Sequence, residues 1–125
     1  KKEKSFHNIM SALSNFNKTV QEFLDALLEV FPEHKGITKQ KLRFEVGTRA
    51  NCRLAIDSIM PKLLEHSSAI LQRNESVLDD VNNAFSDIDL VQLWNCGISD
   101  KTKNTIWNYV NTILSLGMTA CSLNV

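Results

Sequence analysis

Apolar residues recur along the first thirty positions with a strict rhythm. Phe6, Ile9, Leu13, Phe16, Val20, Phe23, Leu27 and Val30 follow one another at alternating spacings of three and four. That alternation is a heptad seam on one face of a helix. Met10, Leu24, Leu28 and Phe31 widen the stripe, which suits docking into a globular bundle better than an isolated two-stranded coil. Ser5 is a plausible N-cap. Pro32 lacks the amide proton and disfavours helical geometry at Phe31, so the helix should end near Val30. At 1.5 Å per residue, a helix of about 25 residues is about 38 Å long.

The pattern then breaks into shorter pieces. Pro32 to Gly36 reads as a turn. A second helix is expected from Thr38, as N-cap, to Ala50, with Leu42, Val46 and Ala50 as its apolar stripe and Phe44 off it. Gly47 weakens that helix by about 1 kcal/mol relative to alanine. Asn51 reads as the N-cap of a third helix carrying Leu54, Ile56, Ile59, Met60, Leu63 and Leu64, which Pro61 should kink or end. Ser67 to Leu71 either continues it or forms a separate turn. Residues 72–86 form an irregular acidic connection with a short helix between Leu78 and Phe85. A further short helix over "DIDLVQLWN" would be capped by Asp87 or Asp89 and end near Gly97. Ser99 caps the last helix, with Asp100 favourable in its first turn. That helix should run to Leu116, with Gly117 as its stop.

Composition agrees with an all-α reading. The chain has 125 residues, with only four glycines and two prolines, so the frequent turns of a sandwich or barrel are missing. The expected fold is one helical domain over 1–125, a bundle of five or six helices around the long first one, with residues 1–4 disordered. The question left by that first helix is whether the short pieces after it can cover its whole seam. Packing within the domain is one answer; continuation of the seam into another subunit is the other.

Charge adds a layout. Lys plus Arg equals Asp plus Glu, 14 against 14, which removes the whole-domain electrostatic signature of a nucleic-acid binder. The balance hides two opposite segments. Lys35, Lys39, Lys41, Arg43, Arg49 and Arg53 lie close together with Glu45 as the one acid among them. Glu75, Asp79, Asp80, Asp87 and Asp89 follow with no Lys or Arg between them. Lys39, Lys41, Arg43, Arg49 and Arg53 are the candidate basic interaction patch. The alternatives are two solvated faces, or two faces that attract each other across the fold or between copies. Lys39 and Arg43 share a helical face, and Arg49 and Arg53 do so only if the helix continues past Asn51.

The chemistry-bearing residues are sparse. No nucleophile elbow, zinc-binding HExxH, phosphate loop or dinucleotide fingerprint occurs. Cys52, Cys96 and Cys121 form no CxxC and do not stand at metal-ligand spacing from His7, His34 or His66. They read as reduced, mostly buried thiols. Cys52 and His66 could meet in space, yet no third orienting group accompanies them. The expectation is therefore no catalysis, no cofactor and no metal. No apolar run approaches a membrane span of about 18 residues, and the basic start has no apolar stretch after it. The chain is thus expected inside the cell, not secreted, and the Asn17 and Asn74 sequons are discounted. In the last helix Trp107 falls on the apolar ridges and reads as core. Tyr109 falls off them and is the candidate exposed contact.

The order of features carries a resemblance. "FLDALLEVFPEHKGI" precedes a basic helix, then come "AILQRNESVL", "LVQLWN" and "ISDKTKNTIWNYVNTILSLG". Phe23, Leu27, Phe31, Pro32, Ile70, Asn74, Glu75, Leu93, Trp94, Ser99, Lys103, Ile106, Trp107, Tyr109 and Leu114 carry it. Over residues 20–117 the chain resembles a group of small, all-helical, mostly uncharacterised proteins of nucleocytoplasmic large DNA viruses. Val77 and Leu78 stand where that pattern has aromatic residues. The resemblance implies a viral protein of unknown or structural role, in the host cytoplasm or the virion, with no catalytic residues to carry over. A protein partner or self-association is then the expected mode of action, with nucleic acid as the alternative.

Overall fold

The computed structural model describes residues 2–85 and 88–121, with side chains from His7 onward. Its described residues form seven α-helices and one 3-10 turn and no strand. These are α1 (Lys2–Val30), α2 (Lys35–Ala50), α3 (Leu54–Glu65), α4 (Ser67–Leu71), the 3-10 turn Glu75–Val77, α5 (Leu78–Asn82), α6 (Leu90–Trp94) and α7 (Asp100–Ala120). The all-α bundle with a long first helix is what the periodicity predicts. The count rises to seven because α4 is a separate turn of helix and α5 and α6 are each five residues long.

Helix α1 begins at Lys2, ahead of the expected Ser5 cap, so residues 2–4 belong to its first turn. Lys1, the side chains of Ser5 and Phe6, and the Asp87 cap lie outside the described residues. At 29 residues α1 is about 43 Å long. Leu13, Phe16, Val20, Phe23 and Leu27 of its seam are all buried, together with Ala12 and Leu24. The widened stripe emerges at its ends, where Met10 is 46% and Val30 44% exposed. Packing inside the domain thus accounts for the middle of the seam. Its chief partner is α7, which runs antiparallel: Phe23 meets Tyr109, and Val30 and Lys101 line one groove. Helices α2 and α3 close the other sides.

Helix α2 corrects an expectation. Its N-cap is His34, whose Nδ1 accepts the Ile37 amide proton at 3.1 Å, so it starts three residues before Thr38. The face turned inward carries Ile37 and Phe44, one heptad apart and both buried. Leu42, Val46 and Ala50, the expected stripe, face solvent. Asn51 ends α2 in an extended conformation, φ −150° and ψ 108°. Its Oδ1 then accepts the Arg53 amide proton at 3.0 Å, a side-chain turn that leads into α3.

Pro61 does not end α3, which continues to Glu65. Proline removes the bond to the carbonyl four residues back. Pro61 and Asp57 both lie on the exposed face, where water can serve the freed carbonyl. The break comes at His66 instead. After α4 the chain turns through Arg73, at φ 55°, with Arg73 N–H donating to the Ile70 carbonyl and Asn74 N–H to that of Ala69, both at 3.0 Å. That pair of bonds is a Schellman ending with arginine where glycine is usual. Arg73 Nη2 donates to Asn108 Oδ1 of α7 at 2.5 Å, which ties the turn down.

The irregular acidic connection is stapled by side chains. Asn82 Oδ1 accepts the Leu90 amide at 2.6 Å, and Asp89 Oδ1 caps α6 on Gln92 N–H at 3.1 Å. Gly97, at φ 80°, turns the chain towards α7, whose cap Ser99 Oγ accepts Thr102 N–H at 3.1 Å. Helix α7 does not stop at Gly117 but runs on to Ala120, with Gly117 buried inside it. All buried side chains among the described residues are apolar.

Candidate interaction site

The five candidate cations divide among different surroundings. At about 100° per residue, Lys39 and Arg43 lie about 40° apart on α2, whereas Lys41 points to nearly the opposite side. Lys41 faces α1, where its Nζ lies 2.7 Å from Asp25 Oδ1, the two side chains 32% and 47% exposed. Beside this pair Gln21 Nε2 donates to Glu45 Oε1 at 3.1 Å, a second link between α1 and α2. Arg49 is exposed at the end of α2. Arg53 stands beyond the Asn51 break, with its Nη2 3.6 Å from Asp57 Oδ1. The five therefore do not form one phosphate-tracking stripe.

The hydrogen bond to Asp25 holds the Lys41 ammonium above its ordinary pKa, with burial opposing and the charges of Asp25 and Glu45 assisting. A raised lysine pKa means that the charged form is favoured by folding. The contribution is fully present below the ordinary lysine value near 10.4 and is lost as pH rises through the folded one. So exposed a pair contributes at most about 1 kcal/mol. Replacement Lys41→Met is expected to flatten the loss of stability on alkaline titration by up to that amount, read by urea denaturation on either side of pH 10.

The aromatic residues assign themselves clearly. Trp107 is buried, as its position on the ridge predicts. Tyr109, the expected exposed contact, is half-buried, its ring 5.5 Å from that of Phe23. Its ring forms one wall of a groove of about 330 Å³ between the end of α1 and the start of α7, floored by Phe23, Leu27 and Ile106. Trp94 is also buried, edge-on to Trp107 at 5.5 Å, and its Nε1–H donates to Glu75 Oε1 at 2.8 Å. Lys103 Nζ lies 5.5 Å from the Trp94 ring centre. Asn74 Oδ1 caps the adjoining 3-10 turn on Ser76 N–H at 3.1 Å. Several residues that carry the viral resemblance, Asn74, Glu75, Trp94, Lys103 and Trp107, thus meet at one corner. There they lock the 3-10 turn and α6 onto α7, a structural task.

The remaining candidates do not converge. Cys52 precedes α3 and His66 follows it, so the whole helix, about 18 Å long, stands between them. His66 Nε2 lies 3.6 Å from Asp80 Oδ1 instead. Cys52 and Cys96 are exposed and Cys121 is half-buried, all as free thiols, which corrects the expectation of mostly buried ones. Both sequon asparagines have structural bonds: Asn17 Nδ2 donates to the Cys52 carbonyl at 2.9 Å, and Asn74 caps its turn. Among the described residues no three His, Cys, Asp or Glu side chains gather where they could hold a metal ion. No described helix is long and apolar enough to cross a membrane.

What the sequence reading missed is apolar surface. Leu42 is 61% and Val46 59% exposed, one turn apart on α2. A second groove, about 260 Å³, runs between α2, α3 and the turn after α5, with Phe44, Ala55, Ile59 and Ala84 at its base and Arg43 and Lys62 at its rim. The exposed pair was legible as apolar but not as outward-facing, because a stripe of three residues does not say which side of a short helix meets the core. Comparison of the chain with protein-family models, with curated proteins and with solved structures gave no match in any of the three.

Proposed function

We propose that this chain is a non-catalytic structural or protein–protein interaction protein, of the kind a large DNA virus carries in its particle or uses in the infected cell. The observation that supports the reading most is the uncovered apolar surface on otherwise regular helices. Leu42 and Val46 on α2 present aliphatic area to solvent, and beside Tyr109 a groove opens over the buried side chains of Phe23, Leu27 and Ile106. Such surface, set among polar residues, marks sites where another protein docks. The viral part rests on the sequence resemblance alone. Its test is mass spectrometry of purified particles against infected-cell extract. Enrichment in the particle supports a virion component, and absence from both removes the viral reading.

The nucleic-acid alternative needs cations that act together. The structure turns Lys41 towards Asp25 and separates Arg53 from α2, so this reading is the weaker of the two. It predicts duplex binding that falls steeply with salt and disappears when Lys39, Lys41, Arg43, Arg49 and Arg53 all become alanine.

A further inference from the structure

The outward face of α2 is itself a seam. Lys35, Lys39, Leu42, Val46 and Arg49 follow at spacings of four, three, four and three, and all five side chains are exposed. This is the heptad spacing of α1, written a second time on the opposite side of the neighbouring helix. Two aliphatic residues occupy its centre and cations occupy both ends, over about 21 Å of helix. The inward face of α2 is already used by Ile37 and Phe44, so the outward seam contributes nothing to the domain's own core.

Charge selects the occupant. Two copies of this chain pairing α2 against α2 would bring Lys35, Lys39 and Arg49 against their own kind, in either orientation, and like charges in register are destabilising. A phosphate backbone would match the positive charge of this face but leave Leu42 and Val46 against charged oxygens. An amphipathic helix with aliphatic residues at its centre and carboxylates at its ends satisfies both features at once. Resting on the interaction reading above, we infer that the α2 face is a docking site for an acidic amphipathic helix of another protein, seated by Leu42 and Val46 and oriented by Lys35, Lys39 and Arg49.

The probe is a synthetic helical peptide of about three heptads with leucine at its two central seam positions and glutamate at the flanking ones. Labelled and titrated with the full chain, it should bind in the micromolar range by fluorescence anisotropy. The double substitution Leu42→Ser with Val46→Ser should weaken binding at least about tenfold, and so should Lys35→Glu with Arg49→Glu. Both variants alter only exposed side chains, so circular dichroism should show unchanged helix content. A lysine-flanked version of the peptide should prefer the Lys35→Glu, Arg49→Glu chain. The assignment is overturned if the glutamate peptide does not bind. It is equally overturned if duplex DNA or phosphatidylserine vesicles bind more tightly than the peptide and ignore the Leu42 and Val46 changes. Binding of the peptide undiminished in both variants removes α2 as the surface and leaves the general interaction reading standing.

Discussion

Replacing Phe23 with alanine is expected to cost the fold about 3–5 kcal/mol, the cost of emptying a large aromatic site in a packed core. Phe23 is 1% exposed and lies on α1 between Tyr109 of α7 and Phe85 of the segment after α5. Its ring is 5.5 Å from Phe85, edge-on at 72°, and 5.5 Å from Tyr109, tilted at 35°. No single neighbouring side chain can swing in to fill the space, because the neighbours belong to different elements. Against a total stability of order 5–15 kcal/mol for a domain, such a loss leaves little or nothing. Urea denaturation should show the midpoint fall sharply, whereas Phe23→Leu should cost about 1–2 kcal/mol. A loss below about 1 kcal/mol for the alanine variant would mean that α1 does not organise the core.

The second large effect concerns Gly117. A Cβ built there would overlap Met60 Sδ and approach Met60 Cε and Cγ to 2.7 and 2.8 Å. Met60 is flexible in principle, but it is 1% exposed and enclosed by the core. Gly117→Ala should therefore lower stability by about 1–2 kcal/mol, overpacking outweighing the gain of about 1 kcal/mol that alanine brings to a helix. With Met60→Ala already present, the obstacle is gone and the same substitution should raise stability. A double-mutant cycle reads this reversal of sign directly. The same sign in both backgrounds would show that α3 and α7 do not meet through this contact.

These two sites also show what could be read from sequence. Phe23 was legible as core because seven successive intervals of α1 repeat the heptad, and only one face of a helix does that. Gly117 was legible as a glycine near a helix end, and a glycine there is most often a stop. Its actual role depends on Met60, fifty-seven residues away, which no local pattern contains. Helix α2 failed for a related reason. Its start depends on a histidine cap, which is outside the usual Ser, Thr, Asp and Asn set. Starting at Lys35 places Ile37 in the first turn and Phe44 one heptad later, and the large ring rather than the aliphatic pair turns inward. Tyr109 lies off both ridges of α7, yet its ring is large enough to reach Phe23 across the antiparallel neighbour.

The candidate site was less legible than the fold. The cations were visible as a segment, but their directions were not, since they depend on where α2 begins and on the break at Asn51. Lys41 was drawn to Asp25 by a helix that precedes it in the chain, a pairing set by packing rather than spacing. The same rotation that buried Phe44 exposed Leu42 and Val46, and so produced the surface on which the functional reading rests.

Sedimentation velocity of the full chain at micromolar concentration, alone and mixed with the proteins of purified viral particles, tests that reading most directly. The account predicts a species heavier than the 14.1 kDa chain, formed with a defined partner or with itself. A clean monomer that carries none of those proteins with it would contradict the account.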